Sequence, residues 1–299
     1  MVGIVTSILE QGFIYGVMAV GVYISYKILD FPDLSVDGTF PLGAALCITV
    51  SAAGIDPWLS LILAFLSGCA AGAFTGFLNV GLKIKNLLCG ILTMTALYSI
   101  NYRIAGSSTV FISMTDNTIF SSFSSMLPAH TNFYSKLIIM FFITIVSKLL
   151  LDWYLRTKSG FLLRSVGDNE SLVVTLGKNP GNIKILGLAI SNGLVALAGA
   201  VNCQYTRQFS VGGGTGTVVM GLAAVIIGAT IFKKMRFLKI TTSVIIGMII
   251  YKTLTYAAIA SGLIATDTNL VITVLFIVIL IINNILFKRD KGIGVRPDA

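Results

Sequence analysis

The sequence predicts an all-α polytopic membrane protein: one domain over residues 1–299, with about nine transmembrane or re-entrant helices. Charge is the first observation. Only 11% of the residues are charged and 56% are apolar, with a mean hydropathy of +0.92, whereas soluble domains carry roughly 25% charged residues. That deficit is too large for a water-facing surface. Run length is the second observation: several stretches stay apolar for the roughly 20 residues that carry a helix across the hydrocarbon core. A transmembrane barrel would instead alternate in polarity over short segments.

Apolar runs between charge clusters give nine segments, near residues 4–27, 34–53, 57–80, 86–105, 136–155, 184–206, 212–231, 237–260 and 267–287. The start, MVGIVTSILEQGF, has no basic residue ahead of its apolar stretch, so the first segment reads as a retained helix, not a cleaved signal. Placing the C-terminal tail and every second loop inside puts sixteen of the 21 basic residues there, among them Lys27, Lys83, Arg156, Lys178, Lys233, Lys239 and Arg289. By the positive-inside rule the C-terminus is cytoplasmic and, with nine crossings, the N-terminus is outside. A second segment that entered and turned back would reverse the N-terminal side. The net charge of +9 is accounted for by this asymmetry and is not a nucleic-acid footprint.

The second segment opens with DFPDLSVDGTFPLGAAL, Asp30 to Leu46. An Asp at the bilayer centre costs roughly 2.5–3.5 kcal/mol, so Asp30, Asp33 and Asp37 must sit at the cytoplasmic entrance, line a polar cavity or cap a helix. Pro32 biases Phe31 away from helix, and Asp33 or Ser35 is placed to cap one starting just afterwards. Gly38 and Pro41 then put a weak point inside the segment, which is expected to be broken or re-entrant. Asp37, Gly38 and Thr39 are the pathway candidates here. A similar break is expected in SVGGGTGTVVMG, Ser210 to Gly221, where Gly214, Thr215, Gly216 and Thr217 precede a short apolar helix. It is no phosphate loop, because no GK[ST] follows. GTFPLGAAL at Gly38 and GTVVMGLAA at Gly216 share a Gly-Thr start, a second glycine five residues on and following alanines. On the assigned topology they run in opposite directions, a candidate inverted repeat.

In the fourth segment Thr95, Tyr98 and Asn101 or Tyr102 recur at three- and four-residue steps, giving one polar face suited either to a solute cavity or to interhelical hydrogen bonds. Asn192, Asn202 and Gln204 are the polar residues of the sixth. GxxxG spacings at Gly12/Gly16 and Gly68/Gly72/Gly76 predict close helix packing, within the chain ahead of a subunit interface. Residues 106–135 form a Ser/Thr-rich outer loop holding the only histidine, His130, read as a surface residue. Cys47, Cys69, Cys89 and Cys203 stand alone in their spans, so neither a metal site nor a disulfide framework is suggested. With one histidine and no GxSG, the chain has neither the zinc nor the serine motif of an intramembrane enzyme.

The inner loop, residues 156–183, carries a short helix. Asp168 or Asn169 is its cap, Glu170 lies in its first turn, and Gly177 with Lys178 closes it before Asn179-Pro180. About two turns result, with Leu172, Val173 and Leu176 expected on one face. A short helix of that kind between two span ends either fills a groove on a partner or lies on the membrane surface.

The run Arg164-Ser165-Val166-Gly167-Asp168-Asn169, then Leu176-Gly177, then Ser191, Gly193 and LAGA, resembles the coupling-loop signature of permease subunits in ATP-binding-cassette importers of the branched-chain amino acid and ribose type. FPDLSVDGTFPLGAAL is similar to the early motif of the branch associated with tryptophan- and tyrosine-like solutes, and GLAAVIIG to the family's second pore motif. The resemblance spans roughly residues 10–285. It implies a prokaryotic plasma-membrane permease surrounded by lipid, paired with a second copy of itself and served by an extracellular solute-binding protein. Cytoplasmic ATPase subunits would grip the coupling residues Arg164, Asp168, Asn169, Glu170, Leu172, Val173, Leu176 and Gly177. ATP and Mg2+ would be bound by those partners and no cofactor by this chain. The bottom-up reading agrees that energy enters from elsewhere, since the chain has no Walker motif. Its rival is an ion-coupled secondary transporter with Asp37, Lys148 and Lys252 as intramembrane charges.

Overall fold

The structure, a computed structural model, describes residues 2–113, 116–124, 132–232 and 238–260, with six single positions beyond. Apart from those six positions, which are helical, the ninth expected segment lies outside the described residues, as do His130 and the basic residues Lys233, Lys234, Arg236, Lys288, Arg289, Lys291 and Arg296. Among the described residues, seven helices are long and apolar enough to cross a membrane, and Val36–Ala52 is a shorter apolar helix beside them. They match the first eight expected segments.

In chain order the elements are α1 (Val2–Tyr23), which runs on into a π-helical turn, Ile24–Ile28, then α2 (Val36–Ala52), α3 (Pro57–Val80) and α4 (Asn86–Ala105). Strand β1 (Thr109–Phe111) and α5 (Ile119–Ser124) precede α6 (Asn132–Tyr154). Next come α7 (Lys158–Asp168), α8 (Glu170–Thr175), α9 (Pro180–Thr206) and strand β2 (Gln208–Ser210). A 3-10 turn, Val211–Gly214, leads to α10 (Thr217–Ile231), and α11 is Ile240–Ala260. β1 and β2 pair antiparallel, Val110 opposite Phe209, and tie the outer end of α4 to that of α9. That ribbon, α5 and α7 are not foreseen in the sequence reading. Their stretches are too short or too polar to show a period.

Small residues set the packing. Gly68, Gly72 and Gly76 lay one face of α3 against Asn192, Leu188 and Ile185 of α9, and Gly12 and Gly16 lay α1 against Ile249 and Ile245 of α11. Both GxxxG stripes are therefore used within the chain, as expected, and their backbones approach closely because no Cβ intervenes. The contacts also fix direction. Leu29 of the α1 end meets Gly187, while Gly21 meets Ser191, Leu194 and Val195, so α1 runs against α9. The α7–α8 loop packs on the α1 end at Ile28, so the N-terminus lies on the face opposite that loop.

The second segment departs from expectation. α2 is continuous from Val36 to Ala52 with Pro41 inside it, and the interruption falls earlier, between Ile28 and Val36. Pro41 sits near the start of the helix, where the missing N–H frees a single carbonyl, that of Asp37. Gly214 fits against that freed oxygen, and a Cβ on Gly214 would collide with it. The weak point thus becomes a contact surface for a second element instead of a break. The unwound stretch before α2 is held by a buried network. Asp33 Oδ1 accepts from Ser35 N at 2.9 Å, Asp33 Oδ2 from Asn192 Nδ2 at 2.8 Å, and Ser35 Oγ donates to Asn192 Oδ1 at 3.2 Å. Asp33 is therefore a buried anchor; Ser35 stands at the cap position of α2, but no side chain caps the helix there, because the Ser35 hydroxyl is turned to Asn192.

The two lysines Lys148 and Lys252, within the spans, have partners in the chain. Lys148 lies 3.1 Å from Asp152, and the Lys252 ammonium sits 3.6 Å from the centroid of the Tyr15 ring, which stacks on Phe40. A cation over an aromatic face is attracted by the ring quadrupole, which suits a lysine kept from water.

Candidate functional site

Two helices begin part-way along the bundle. Ser35, at the head of α2, bonds to Asn192, twelve residues into α9, so α2 starts about 18 Å along that helix. α10 likewise starts within the bundle, packing Gly221 on Val22 and Gly228 on Ser243 as it runs back toward the α7–α8 side. α2 runs with α9 and α10 against it. The two helices that carry the related glycine motifs thus point in opposite directions, with their N-termini facing each other.

Asp37, in the first turn of α2, joins them. Its Oδ1 accepts from Val218 N at 2.8 Å and from Thr217 Oγ1 at 2.8 Å, and its Oδ2 accepts from Gly216 N at 3.1 Å. One carboxylate therefore caps the neighbouring helix α10, where the free N–H groups and the helix dipole favour an anion. Gly216, at φ 84°, supplies the left-handed turn that aims those N–H groups.

Beside this junction lies a cavity of about 310 Å³, lined by Asp37, Gly38, Pro41, Met94, Thr95, Tyr98, Asn101, Val211, Gly212 and Thr215. Six of the ten sequence-predicted pathway residues line it together: Asp37, Gly38, Thr95, Tyr98, Asn101 and Thr215. The other four stand behind the wall. Thr39 is buried, its Oγ1 bonded to Ser35 O at 2.9 Å; Gly214 packs on Pro41; Gly216 and Thr217 belong to the Asp37 junction. Met94 is a lining residue that the sequence reading missed. It stands at i, i+4 and i+7 with Tyr98 and Asn101, so the same helical period could have found it.

Asn101 is fully buried. Its Nδ2 donates to Gly38 O at 2.9 Å, while its Oδ1 has no partner among the described residues. A buried acceptor left unpaired costs about 1–3 kcal/mol, so this atom is suited to a donor arriving from outside the chain. Ser51 Oγ in α2 and Tyr251 OH in α11 are likewise buried without a hydrogen-bond partner among the described residues, but neither lines this cavity, and other polar residues of the spans are bonded internally. Thr93 meets Thr75 at 3.0 Å, and Gln204 bonds Ser60, Pro57 O and Ile119 N.

On the opposite face of the bundle stands α8. Asn169 caps it, Oδ1 accepting from Ser171 N at 3.1 Å, Glu170 lies in its first turn, and Gly177 at φ 70° closes it, with Lys178 N bonded to Val173 O at 3.2 Å. Glu170 forms an ion pair with Lys184, which ties α8 to α9. Asp168 ends α7 and does not cap α8. The expected single apolar face divides: Val173 is fully buried against the protein, whereas Leu172 and Leu176 are 51% and 60% exposed. In a helix of this length positions 172 and 176 share one face and 173 is turned about 100° away, so one side anchors the helix and the other is free. Arg164, on α7, is exposed beside it.

Comparison with known proteins bears on what these two regions serve. Residues 4–285 match the family model of the branched-chain amino acid transport system permease component. The chain is 42% identical to a tyrosine transport system permease protein of Clostridioides difficile, covering 97% of this chain and 95% of that one. It is 34% identical to an uncharacterized protein of Rickettsia prowazekii, over 77% and 78%, and 24% identical to a ribose import permease protein of Escherichia coli, over 75% and 68%. No solved structure matches the chain. Nothing in these matches favours an ion-coupled carrier. With seven apolar helices of spanning length among its described residues, this multi-pass membrane protein belongs to the branched-chain amino acid transport system permease family of ATP-binding-cassette transporters.

Proposed function

We propose that this permease moves an amino acid-like solute with an aromatic side chain through the cavity beside the Asp37 junction, and that α8 is the helix by which cytoplasmic ATPase subunits drive it. The observation that supports the pathway is the gathering of six predicted residues around one cavity that contains an unpaired buried acceptor, Asn101 Oδ1. An α-ammonium group is a donor of the kind that acceptor lacks, and the exposed Tyr98 ring offers an aromatic face. The solute class is supported by the relative described as a tyrosine permease.

Coupling would run along a continuous set of contacts. The exposed pair Leu172 and Leu176 fills a groove on the ATPase, and Val173 and the Glu170–Lys184 pair fix α8 to its own chain. α7 meets the α1 end, where Gly167 packs on Ile28 O, and Gly187 packs on Leu29. From there the unwound stretch leads through Asp33, Ser35 and Asn192 to the head of α2 and to Asp37. A displaced α8 would thus shift the two opposed helix starts relative to one another. ATP and Mg2+ act in the ATPase partners, a solute-binding protein delivers from outside, and a second copy of the permease completes the pathway.

The test is uptake of labelled tyrosine into proteoliposomes holding the permease with its co-purified ATPase and binding protein. Uptake should require ATP, be competed by other aromatic amino acids and fall in Asn101→Leu while ATPase binding persists. Uptake indifferent to aromatic competitors would refute the solute class, and normal uptake by Asn101→Leu would remove that acceptor from the pathway.

A further inference from the structure

A second cleft, of about 490 Å³, opens on the α7–α8 side of the bundle, away from the Asp37 cavity. Its charged lining comes from four elements: Lys27 at the end of the π turn, Asp152 and Arg156 at the end of α6, Arg164 and Asp168 on α7, and Lys239 just ahead of α11. Four cations thus face two carboxylates. One carboxylate is already taken. Asp152 holds Lys239 at 2.9 Å, Lys148 at 3.1 Å and the Thr241 hydroxyl at 2.7 Å. Lys27, Arg156 and Arg164 have no carboxylate within ion-pair distance among the described residues.

The other carboxylate, Asp168, lies beyond ion-pair distance of all three, so three cations share the recess with one unengaged acid; the excess positive charge repels itself and is best stabilised by an anion that all three can reach. The level of the recess indicates its source. Lys27, Arg156 and Lys239 stand at the ends of three spanning helices, Gly3–Ile28, Tyr134–Tyr154 and Ile240–Ala260, where hydrocarbon gives way to headgroups. Trp153, 69% exposed at the same turn of α6, is the residue type that settles at that boundary. Ile28, Leu155 and Ile240 add apolar surface to the lining, beside Tyr23 and Thr241. Basic recesses between spanning helices on the cytoplasmic side suit anionic headgroups, and guanidinium groups match a phosphate's paired oxygens.

We propose that this cleft is a binding site for a phosphate anion, supplied by the headgroup of an anionic glycerophospholipid, with Lys27, Arg156 and Arg164 as its ligands. The lipid would sit against the junction of the α1 end, α6 and α7, next to the Gly167–Ile28 contact. Native mass spectrometry of the detergent-purified full-length permease, titrated with phosphatidylglycerol, phosphatidylcholine or inorganic phosphate, tests it without any partner subunit. Phosphatidylglycerol should bind about one to a chain and at least about tenfold more tightly than phosphatidylcholine. The triple variant Lys27→Gln, Arg156→Gln, Arg164→Gln should lose that preference, whereas Lys83→Gln with Lys85→Gln should keep it. Should the triple variant fail to insert, the single variants Arg156→Gln and Arg164→Gln should each weaken binding, and Arg156→Lys should restore most of it. Equal binding of the two lipids, or a preference untouched by these variants, would overturn the site. Protection by inorganic phosphate alone, with no preference between lipids, would overturn the lipid as its source. Because the assay reads binding by the isolated permease, its failure leaves the ATPase-docking proposal intact, and the reverse holds equally.

Discussion

Asp37 shows how a residue's chemistry can be legible in sequence while its geometry is not. A carboxylate in an apolar segment must be partnered, and capping was among its foreseeable roles. What composition could not reveal is that the capped helix is α10, 180 residues further on, because only the fold brings Gly216 to Val218 alongside. Asp37→Asn keeps the volume but turns an N–H2 donor toward backbone donors. It should lower stability by about 1–3 kcal/mol, the cost of buried N–H groups left unmet. Thermal unfolding of the purified protein would measure this, and an unchanged midpoint would show that the junction carries no stability. Thr217→Val removes just the hydroxyl donor and keeps both N–H bonds, so its loss should be the smaller, about 1 kcal/mol. Pro41 departs from expectation for a related reason. Its effect depends on which carbonyl it frees and on what fills the space, and Gly214, the residue that fills it, is distant in sequence.

At the scale of elements, the caps and stops of α8 were readable because they are local. Asn169, Glu170, Gly177 and Pro180 act within a few residues of where they stand. The orientation of the helix was not local, and the sequence could not separate Val173 from Leu172 and Leu176. That division makes two classes of variant distinguishable. Leu172→Asp with Leu176→Asp alters exposed side chains, so the permease should insert and unfold as before while co-purification with its ATPase is lost. Val173→Asp buries an unpaired charge, at a cost of about 3–5 kcal/mol, and should lower the yield of folded permease itself. Size-exclusion profiles and ATPase pull-downs read the two outcomes separately. If Leu172→Asp with Leu176→Asp still retained the ATPase, α8 would not be the docking element. The paired strands and α7 are not legible in the sequence, because three-residue strands and an 11-residue polar helix leave no period to read.

Across the whole molecule, the spans and their order follow from hydropathy alone, since each backbone polar group at membrane depth must be bonded within its own helix or within the protein. The opposed helix starts follow from the two glycine motifs, whose antiparallel directions were set by the topology. The join between the α7–α8 side and those starts was not legible, because it rests on close approaches between elements far apart in sequence. Gly167 of α7 packs so tightly on Ile28 O that a Cβ would collide with it, and Leu29 lies on Gly187 of α9 next to it. If α8 drives the pathway through that contact, then Gly167→Ala should hold α7 off the α1 end without touching α8 or the cavity. ATPase pull-down should stay at the level of the unaltered protein and so should solute-independent ATP hydrolysis. ATP-driven uptake should fall by about 5- to 150-fold, the range of a coupling energy of 1–3 kcal/mol between two sites. Uptake and hydrolysis measured side by side in the same proteoliposomes decide the matter. A proportional fall in both would place the defect in assembly, and full uptake would mean that force reaches the Asp37 junction by some other contact.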